Sequence, residues 1–216
     1  YHLGFLLGPR VNAGGRVGKA DLGVRLLSSE DPSETRALAQ ELDALNAERR
    51  EIERQVLDDA LLQVEAGEKP RGMVFAAGEG WHAGVIGIVA SRLKERYDLP
   101  CLVIALEDEV GKGSARSVRG VDLGSAVIAA RQAGLLINGG GHRMAAGLTV
   151  SRGALRDLRA FLEDRLQKEI ERSSYQAAIG IDAVLQPGAV TGSLVDLLEK
   201  VGPFGTDNPE PRFAFS

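Results

Sequence analysis

Gly139-Gly140-Gly141-His142, followed by Arg143-Met144-Ala145-Ala146-Gly147, lies between two apolar segments of this chain. Three consecutive glycines remove every side chain from a short segment and make left-handed backbone angles accessible. Such a segment predicts a loop whose N–H groups converge on one point and cradle an oxyanion such as phosphate, with His142 as an added ring donor. A glycine-rich turn that carries a surface histidine is the alternative that these residues leave open.

A second stretch of small, hydroxylated and basic residues lies upstream, with the sequence GKGSARSVRG at residues 111–120. The planar guanidinium of Arg116 can grip a phosphate through two parallel N–H bonds. Ser114 and Ser117 add hydroxyl donors, and Gly113 allows the backbone to approach a ligand closely. These residues predict phosphate contacts, whereas an arginine that is solvated or salt-bridged within a strand is the alternative.

Length, composition and charge exclude several classes of protein. The chain has 216 residues, of which 44% are apolar and 26% charged, as in an ordinary globular protein with a full core. A formal net charge of −4 excludes a protein that coats nucleic acid through its overall charge, so nucleic-acid contacts require local basic clusters. No apolar run has transmembrane length, and we expect no membrane partner. The single cysteine, Cys101, cannot form an internal disulfide and indicates a reducing compartment, the cytoplasm.

The strongest helix signal begins at Asp31, where a capping residue is followed by Pro32 at the first helical position. No proline or glycine follows before Gly67, which predicts one helix of about 34 residues, roughly 50 Å long. Its apolar stripe is broken at Arg49, and this favours a connector between domains over a coiled coil.

Hydrophobic periodicity predicts the other elements. They are a short helix at 20–27, strands at 73–77, 101–106, 113–118 and 146–150, and helices at 85–97, 122–133 and 154–173. Strands that alternate with helices indicate an α/β fold with a mainly parallel sheet flanked by helices. Its loops would gather at one edge and bring residues 113–117 close to 139–142. Farther along, the alternation of Ile179, Ile181 and Ala183 predicts a new strand, followed by a helix at 193–201.

Together the two glycine-containing stretches resemble the DHH-associated domain of the DHH phosphoesterase superfamily. The blocks WHAGVIGIVASRL at 81–93 and GPRVNAGGR at 8–16 narrow the resemblance to the RecJ family of single-stranded-DNA exonucleases. The residues at 203–211 resemble the segment that leads into the oligonucleotide-binding barrel of that family. The resemblance implies four parts: 1–30 as the end of the DHH domain, 31–67 as a connecting helix, 68–175 as the DHH-associated domain, and 176–216 as the start of the oligonucleotide-binding region.

The resemblance also implies an activity for the whole enzyme, which would hydrolyse single-stranded DNA from its 5′ end in DNA repair and recombination. Mn²⁺ or Mg²⁺ would be held by the DHH domain. No Asp-His-His sequence occurs in this chain, so we expect no cofactor of its own, no metal ligands and no hydrolysis by the chain alone. Because the sequence opens at Tyr1 and stops in what resembles the beginning of a strand, we expect a piece of a larger protein.

The site residues that the resemblance implies fall into three groups. His142 would be catalytic, as a donor to phosphate rather than a metal ligand. The phosphate contacts would be Arg116, Ser114, Ser117, Gly113, Gly139, Gly140, Gly141, Arg10, Asn12 and Arg16. Trp81 and His82, which precede a predicted helix N-terminus, are candidates for a base or phosphate contact.

Several alternatives stay open at this stage. The residues Arg10, Asn12 and Arg16 are also typical of a solvated basic loop, and Trp81 of a half-buried side chain at a strand end. The protein could be another DHH phosphoesterase, such as a short-oligonucleotide or cyclic-dinucleotide hydrolase, or a non-catalytic DNA- or partner-binding module. The partners expected for a RecJ-like enzyme are single-stranded DNA and repair proteins such as a helicase or a single-strand-binding protein.

Overall fold

The computed structural model describes residues 1–173, 179–205 and 208–216. They belong to two compact units, whose boundary falls between residues 175 and 176. The helices of the first unit are a π-helical turn at His2–Leu7, α1 at Gly8–Val17, α2 at Leu22–Ser28, α3 at Pro32–Ala66, α4 at Ile86–Tyr97, α5 at Leu123–Gln132, a 3₁₀ turn at Arg152–Ala154 and α6 at Leu155–Arg172. Its strands are β1 at Val74–Glu79, β2 at Cys101–Glu107, β3 at Val110–Arg116, β4 at Asn138–His142 and β5 at Ala145–Ser151.

The predicted long helix is confirmed as α3, which has 35 residues. Its start is capped by Asp31, whose carboxylate accepts a hydrogen bond of 2.8 Å from the Ser33 N–H. The prediction of a loop around Asn12 is wrong, because these residues form α1. A Cβ atom at Gly14 would lie 2.7 Å from the Lys19 carbonyl oxygen and 3.2 Å from Leu42 of α3. This glycine therefore lets α1 pack closely on the long helix.

Helix α3 is packed against neighbours along one face rather than standing free. Near its start, Leu38 and Leu42 form a small core with Leu22 of α2. Near its end, three buried apolar residues, Val56, Ala60 and Val64, join a second core with β1, β2 and α4. The break in the apolar stripe lies between these two cores, where Asn46, Arg49 and Glu53 are all buried.

The five strands form one sheet in the order β1-β2-β3-β5-β4. The α/β class with flanking helices is confirmed, but the prediction of a mainly parallel sheet is wrong: only β1 and β2 pair in parallel, and the other three pairs are antiparallel. The reason lies in the connections. Helix α4 joins β1 to its neighbour β2, which allows this pair to be parallel, whereas the two-residue turns at 108–109 and 143–144 force antiparallel hairpins. Helix α5 joins β3 to β4, but β5 lies between these two strands and pairs antiparallel with both.

The glycine stretch, which was predicted to be a loop, is the edge strand β4. Among the glycines that the structure describes, φ is positive only at Gly80, Gly120 and Gly134, so residues 139–141 are extended. Gly134 ends α5 in this left-handed conformation, as predicted for that helix.

Helices cover the two faces of the sheet unequally. Helices α5 and α6 pack over one face and form the larger core, which includes Leu102, Leu148, Leu158 and Leu162. On the other face, α4 packs on β2 and β3, and the end of α3 packs on β1. The part of this second face that lies on β5 and β4 contains Gly147 and Gly140.

The second unit contains β6 at Ala183–Leu185, a 3₁₀ turn at Pro187–Ala189, α7 at Gly192–Glu199 and β7 at Phe213–Phe215. Strands β6 and β7 pair in parallel. The predicted strand at 179–183 begins later than expected, at Ala183, whereas the helix predicted at 193–201 is confirmed as α7, capped by the Thr191 hydroxyl. Across the described ranges, no helix has the length and apolar character needed to span a membrane.

Candidate nucleic-acid interface

The sheet places Arg116 and His142 in one row across three strands. Arg116 of β3 lies opposite Ala145 of β5, which in turn lies opposite His142 of β4. Residues directly opposite one another in antiparallel strands point to the same face of the sheet. Neighbouring strands are about 4.8 Å apart, so the backbones of Arg116 and His142 are about 10 Å apart.

Two further rows run parallel to the first, each two residues farther along the strands. The second row is Ser114, Gly147 and Gly140, and the third is Lys112, Thr149 and Asn138. We call these three rows the open face. Its first and third rows contain basic or polar side chains. We call the middle row bare because two of its three residues, Gly147 and Gly140, have no side chain.

The middle row is bare because its glycines point into open space. A Cβ atom at Gly140 would meet nothing within 4 Å, and one at Gly147 would meet only the Gly113 carbonyl oxygen at 4.0 Å. By contrast, a Cβ atom at Gly139 would point into the core, 3.0 Å from Leu136 and 3.1 Å from Val127. The glycines of β4 therefore have two different roles, because alternate residues of a strand face opposite sides of the sheet. Gly140 leaves space on the open face, whereas Gly139 allows close packing against the core.

The prediction of a cradle of converging N–H groups at 139–141 is wrong, since extended strands alternate the direction of their N–H groups. The Gly139 N–H donates to the Asn138 side chain at 2.9 Å, and the Gly139 carbonyl accepts from Arg131 at 3.2 Å. What Gly140 contributes is the absence of a side chain beside Arg116 and His142.

Arg116 is half-buried and lies against the first turn of α4. Its Nη1 donates to the Ser114 hydroxyl at 3.1 Å and to the Ala115 carbonyl at 2.8 Å. A Cβ atom at Gly87 of α4 would lie 2.9 Å from its Nη2, so that glycine makes room for the guanidinium. Burial lowers the pKa of Arg116, and the like charge of Arg16 lowers it further. An arginine stays protonated despite such a shift, so a positive charge is held here.

Arg16 is brought to the same place from α1. Its Nη1 donates to the Gly84 carbonyl at 3.1 Å, and a Cβ atom at Gly84 would overlap the Arg16 carbonyl. The Gly84 N–H donates to Nδ1 of the exposed His82 at 3.0 Å. The loop before α4 thus packs against the end of α1. As a result, Arg16 and His82 lie beside the N-terminus of α4. Helix N-termini favour anions.

Arg16 and Arg116 form no ion pair with an acidic side chain of the described chain, in contrast to Arg10. The Arg10 guanidinium donates to Asp43 of α3 at 2.7 Å and to the Leu6 carbonyl at 2.8 Å. Asn12 is exposed and lies one helical turn before Arg16 on α1, so the two share a face. Of the three α1 residues in the prediction, Asn12 and Arg16 are available to a ligand, whereas Arg10 is engaged within the protein.

Three other predicted residues are not at the open face. Ser117 is 1% exposed, and its hydroxyl donates to the Val121 carbonyl at 3.0 Å. Gly113 faces the core, where a Cβ atom would lie 2.6 Å from Leu148. Trp81 is 9% exposed and belongs to the second core, with its indole N–H pointing to Asp59 at 3.4 Å. Their surroundings give each of them a structural role. For Trp81 this is the alternative of a packed side chain at the end of a strand, here β1.

The sequence-based prediction missed Lys112, Thr149 and Asn138 of the third row, as well as Gly147 in the second. Lys112 could have been found, because it has the same parity along β3 as Ser114 and Arg116. The positions of Thr149, Asn138 and Gly147 on this face follow from the register of β4 and β5. That register could not be predicted once residues 139–141 were taken to be a loop.

No group of three or more His, Cys, Asp or Glu side chains that could hold a metal ion occurs in residues 1–173, 179–205 and 208–216. His142 is exposed at the end of β4. Its place in the first row puts it at the margin of the open face.

Comparisons with known proteins identify two domains. The DHHA1 domain family matches residues 70–168, and the RecJ OB domain family matches residues 181–216. The single-stranded-DNA-specific exonuclease RecJ of Bacillus subtilis is 37% identical over 212 residues, which are 97% of this chain and 27% of that protein.

Two crystal structures of RecJ from Thermus thermophilus, in complex with Mg²⁺ and with Mn²⁺, have the same fold over nearly the whole chain. The Mg²⁺ complex is 29% identical with a TM-score of 0.82, covering 97% of this chain and 32% of that one. The Mn²⁺ complex is 28% identical with a TM-score of 0.85, covering 99% of this chain and 31% of that one. This chain spans between 27% and 38% of the length of the curated relatives that it matches.

Proposed function

With its DHHA1 domain and its RecJ OB domain the chain belongs to the RecJ family, and from this premise we propose that it is the substrate-gripping part of an exonuclease that hydrolyses single-stranded DNA from the 5′ end. In this proposal residues 1–30 complete a DHH domain and 31–67 connect it to the DHH-associated domain at 68–175. Residues 176–216 begin the oligonucleotide-binding region.

The observation that carries the proposal is the pair of arginines, Arg16 and Arg116, beside a bare stretch of sheet. The charge of Arg16 lowers the pKa of Arg116, and neither arginine has an acidic partner in the described chain, so an anion between them would stabilise both charges. A phosphate over Gly140 and Gly147 would receive two N–H bonds from Arg116 and a hydroxyl bond from Ser114. Because Gly147 and Gly140 have no side chains, the DNA backbone could approach β5 and β4 closely.

His142 closes the open face on the side opposite Arg116. We propose that its ring donates to a non-bridging phosphate oxygen, on which negative charge develops in the transition state. Mg²⁺ or Mn²⁺, held by the DHH domain, would supply the activated water. In the full-length enzyme, His142→Ala is then expected to lower kcat more than it weakens binding. Equal losses in kcat/KM and affinity, with kcat unchanged, would contradict this role.

The same proposal includes the setting of the enzyme. A RecJ-like exonuclease would act in the cytoplasm in repair and recombination, where Cys101 stays reduced, and it would work with a helicase or a single-strand-binding protein. Cys101 is fully buried, and burial raises the pKa of its thiol to about 12, so the thiol is inert at neutral pH.

Arg116→Ala tests the phosphate grip. We expect weaker binding of labelled single-stranded DNA at low salt, an unchanged melting temperature, and a slope of log K against log salt that is flatter by about 0.7 for one lost phosphate contact. Arg156→Ala is the control, because it removes the same charge from an exposed position on α6, which covers the opposite face of the sheet. An early melting transition with an unchanged salt slope would mean that Arg116 only supports the fold.

A further inference from the structure

Four arginines come together where α3 passes the end of α1 and packs on α4. Arg16, Arg50 and Arg92 each lower the pKa of Arg49 through their like charge, in addition to the larger effect of its burial. Glu53 is the carboxylate that opposes them. We call Arg49, Arg50 and Arg92 the arginine cluster.

The inner part of the cluster is tied together by Glu53, which is 3% exposed. Its two carboxylate oxygens accept from Arg49 at 2.6 Å and from Arg92 at 2.5 Å. Arg49 also donates to the Asn46 side-chain oxygen at 3.0 Å. A single carboxylate is thus shared by two arginines. Its one negative charge does not neutralise both, so the cluster keeps a surplus of positive charge.

Two observations indicate that other groups of the described chain do not neutralise this surplus positive charge. The Nε–H of Arg49, a residue that is 9% exposed, is buried without a hydrogen-bond partner in the described chain. Arg50 is exposed and forms no ion pair there, unlike Arg54 one turn farther along, which binds Glu51 at 2.6 Å and Asp58 at 3.0 Å. A cavity of about 130 Å³ is lined by four arginines together with Glu53 and Leu57; the arginines are Arg49, Arg50, Arg54 and Arg92. Several guanidinium groups around a small cavity, one of them without an ion pair, are suited to phosphate oxygens.

Arg16 connects the cluster with the open face. Its charge lowers the pKa of Arg49 on one side and that of Arg116 on the other. Arg16 therefore lies close enough to both Arg49 and Arg116 for its charge to act on each of them.

We propose that the arginine cluster is a second phosphate subsite, which holds another phosphate of the same DNA strand that the open face holds. The inference rests on the proposed function, since it takes single-stranded DNA as the ligand. Arg50 and Arg92 would meet the phosphate, while Arg49 and Glu53 position them from below. The rival explanation is an ion-pair network that only fastens α3 to α4.

The test compares Arg50→Ala with Arg36→Ala in the full chain. Both changes remove from α3 an exposed arginine that forms no ion pair in the described chain. Arg36 does not line the cavity and lies roughly 21 Å from Arg50 along the helix. The probes are labelled thymidine oligonucleotides of about twelve nucleotides, within the range that single-strand-binding domains cover, and of three nucleotides, below that range. We expect Arg50→Ala to weaken binding of the longer probe about two- to fivefold, as for an exposed ion pair, and to flatten its salt slope by about 0.7. Arg36→Ala should change neither the affinity nor the salt slope.

The trinucleotide tests whether the two subsites are separate, since we expect it to occupy the open face alone. Its affinity should fall with Arg116→Ala and stay unchanged with Arg50→Ala. If Arg116→Ala weakens both probes and Arg50→Ala weakens neither, the second subsite is refuted and the proposed function stands. If Arg50→Ala weakens the trinucleotide as much as the longer probe, the two subsites are one and the inference is overturned. If neither variant changes binding, the proposed function fails as well.

Discussion

Replacing Gly140 with valine should leave the fold at least as stable while it abolishes the phosphate grip. A side chain at Gly140 meets no atom within 4 Å, so the substitution causes no clash. A glycine within a strand costs roughly 0.5–1 kcal/mol relative to alanine, and valine suits a strand better still. We therefore expect the free energy of unfolding to rise by about 0.5–1 kcal/mol, which urea denaturation can measure.

The same side chain would occupy the space above the middle row of the open face. A phosphate held off Arg116 loses charge-assisted hydrogen bonds worth about 1.5–3 kcal/mol, which corresponds to a loss in affinity of roughly 10- to 100-fold. Fluorescence anisotropy with a labelled single strand measures this loss. The unusual combination of a more stable protein and a weaker complex separates a binding role of Gly140 from a structural one.

Gly113→Val is the matched control on the opposite face. Its Cβ atom would lie 2.6 Å from Leu148 Cδ1 and 3.1 Å from Leu102 Cδ1, so overpacking should cost about 1–3 kcal/mol of stability. Under conditions where both variants are folded, Gly113→Val should bind DNA far better than Gly140→Val. Wild-type affinity in Gly140→Val would refute the reasoning, because a phosphate would then lie somewhere other than over the bare row.

Three further predictions concern catalysis and stability. The chain incubated with labelled single-stranded DNA and Mn²⁺ or Mg²⁺ should leave the substrate intact on a denaturing gel, and metal-dependent shortening that survives repurification would contradict this. Glu53→Gln should lower the free energy of unfolding by about 3–5 kcal/mol, because it leaves Arg49 buried without its counter-charge. The double change Arg49→Met with Glu53→Leu should recover most of this loss. Equal denaturation midpoints for Glu53→Gln and wild type would disprove the prediction. Asp122 caps α5 through the Ser125 N–H, which lowers the pKa of its carboxyl group. Asp122→Ala should therefore cost about 0.5–2 kcal/mol at pH 7, and the difference from wild type should shrink as the pH falls below about 3.9 and through the folded-state pKa; a difference that persists at the lowest pH would exclude this origin.

Local signals of the sequence predicted most elements of the fold. The cap at Asp31, the uninterrupted stretch up to Gly67 and the apolar periods of α4, α5 and α6 are properties of neighbouring residues, and the structure confirms them. Strand direction was predicted wrongly, because it depends on whether a connection is a helix or a two-residue turn. Arg143 and Met144 form such a turn, and its composition carries no common turn signal.

The candidate site divides in the same way. Arg116, Ser114, Arg16 and His142 could be named from the sequence because arginine, serine and histidine are phosphate donors by chemistry. Which glycines face a ligand could not be named, because parity along β4 sends Gly139 to the core and Gly140 to the open face. The arginine cluster was missed for a further reason: Arg49 interrupts an apolar stripe, and only the packing of α3 between two cores explains a buried charge there.

The most direct test of the open face is a titration of the ¹⁵N-labelled chain with a short single-stranded oligonucleotide, followed by amide chemical shifts. The amides of Gly140, Gly147, His142 and Arg116 should shift together and saturate at one Kd. Gly111, which faces the core and would place a Cβ atom 2.7 Å from Ile104, should shift least among the strand glycines. Shifts confined to residues 179–216, with Gly140 and Gly147 unmoved at saturation, would contradict the claim that this face of the sheet holds the DNA.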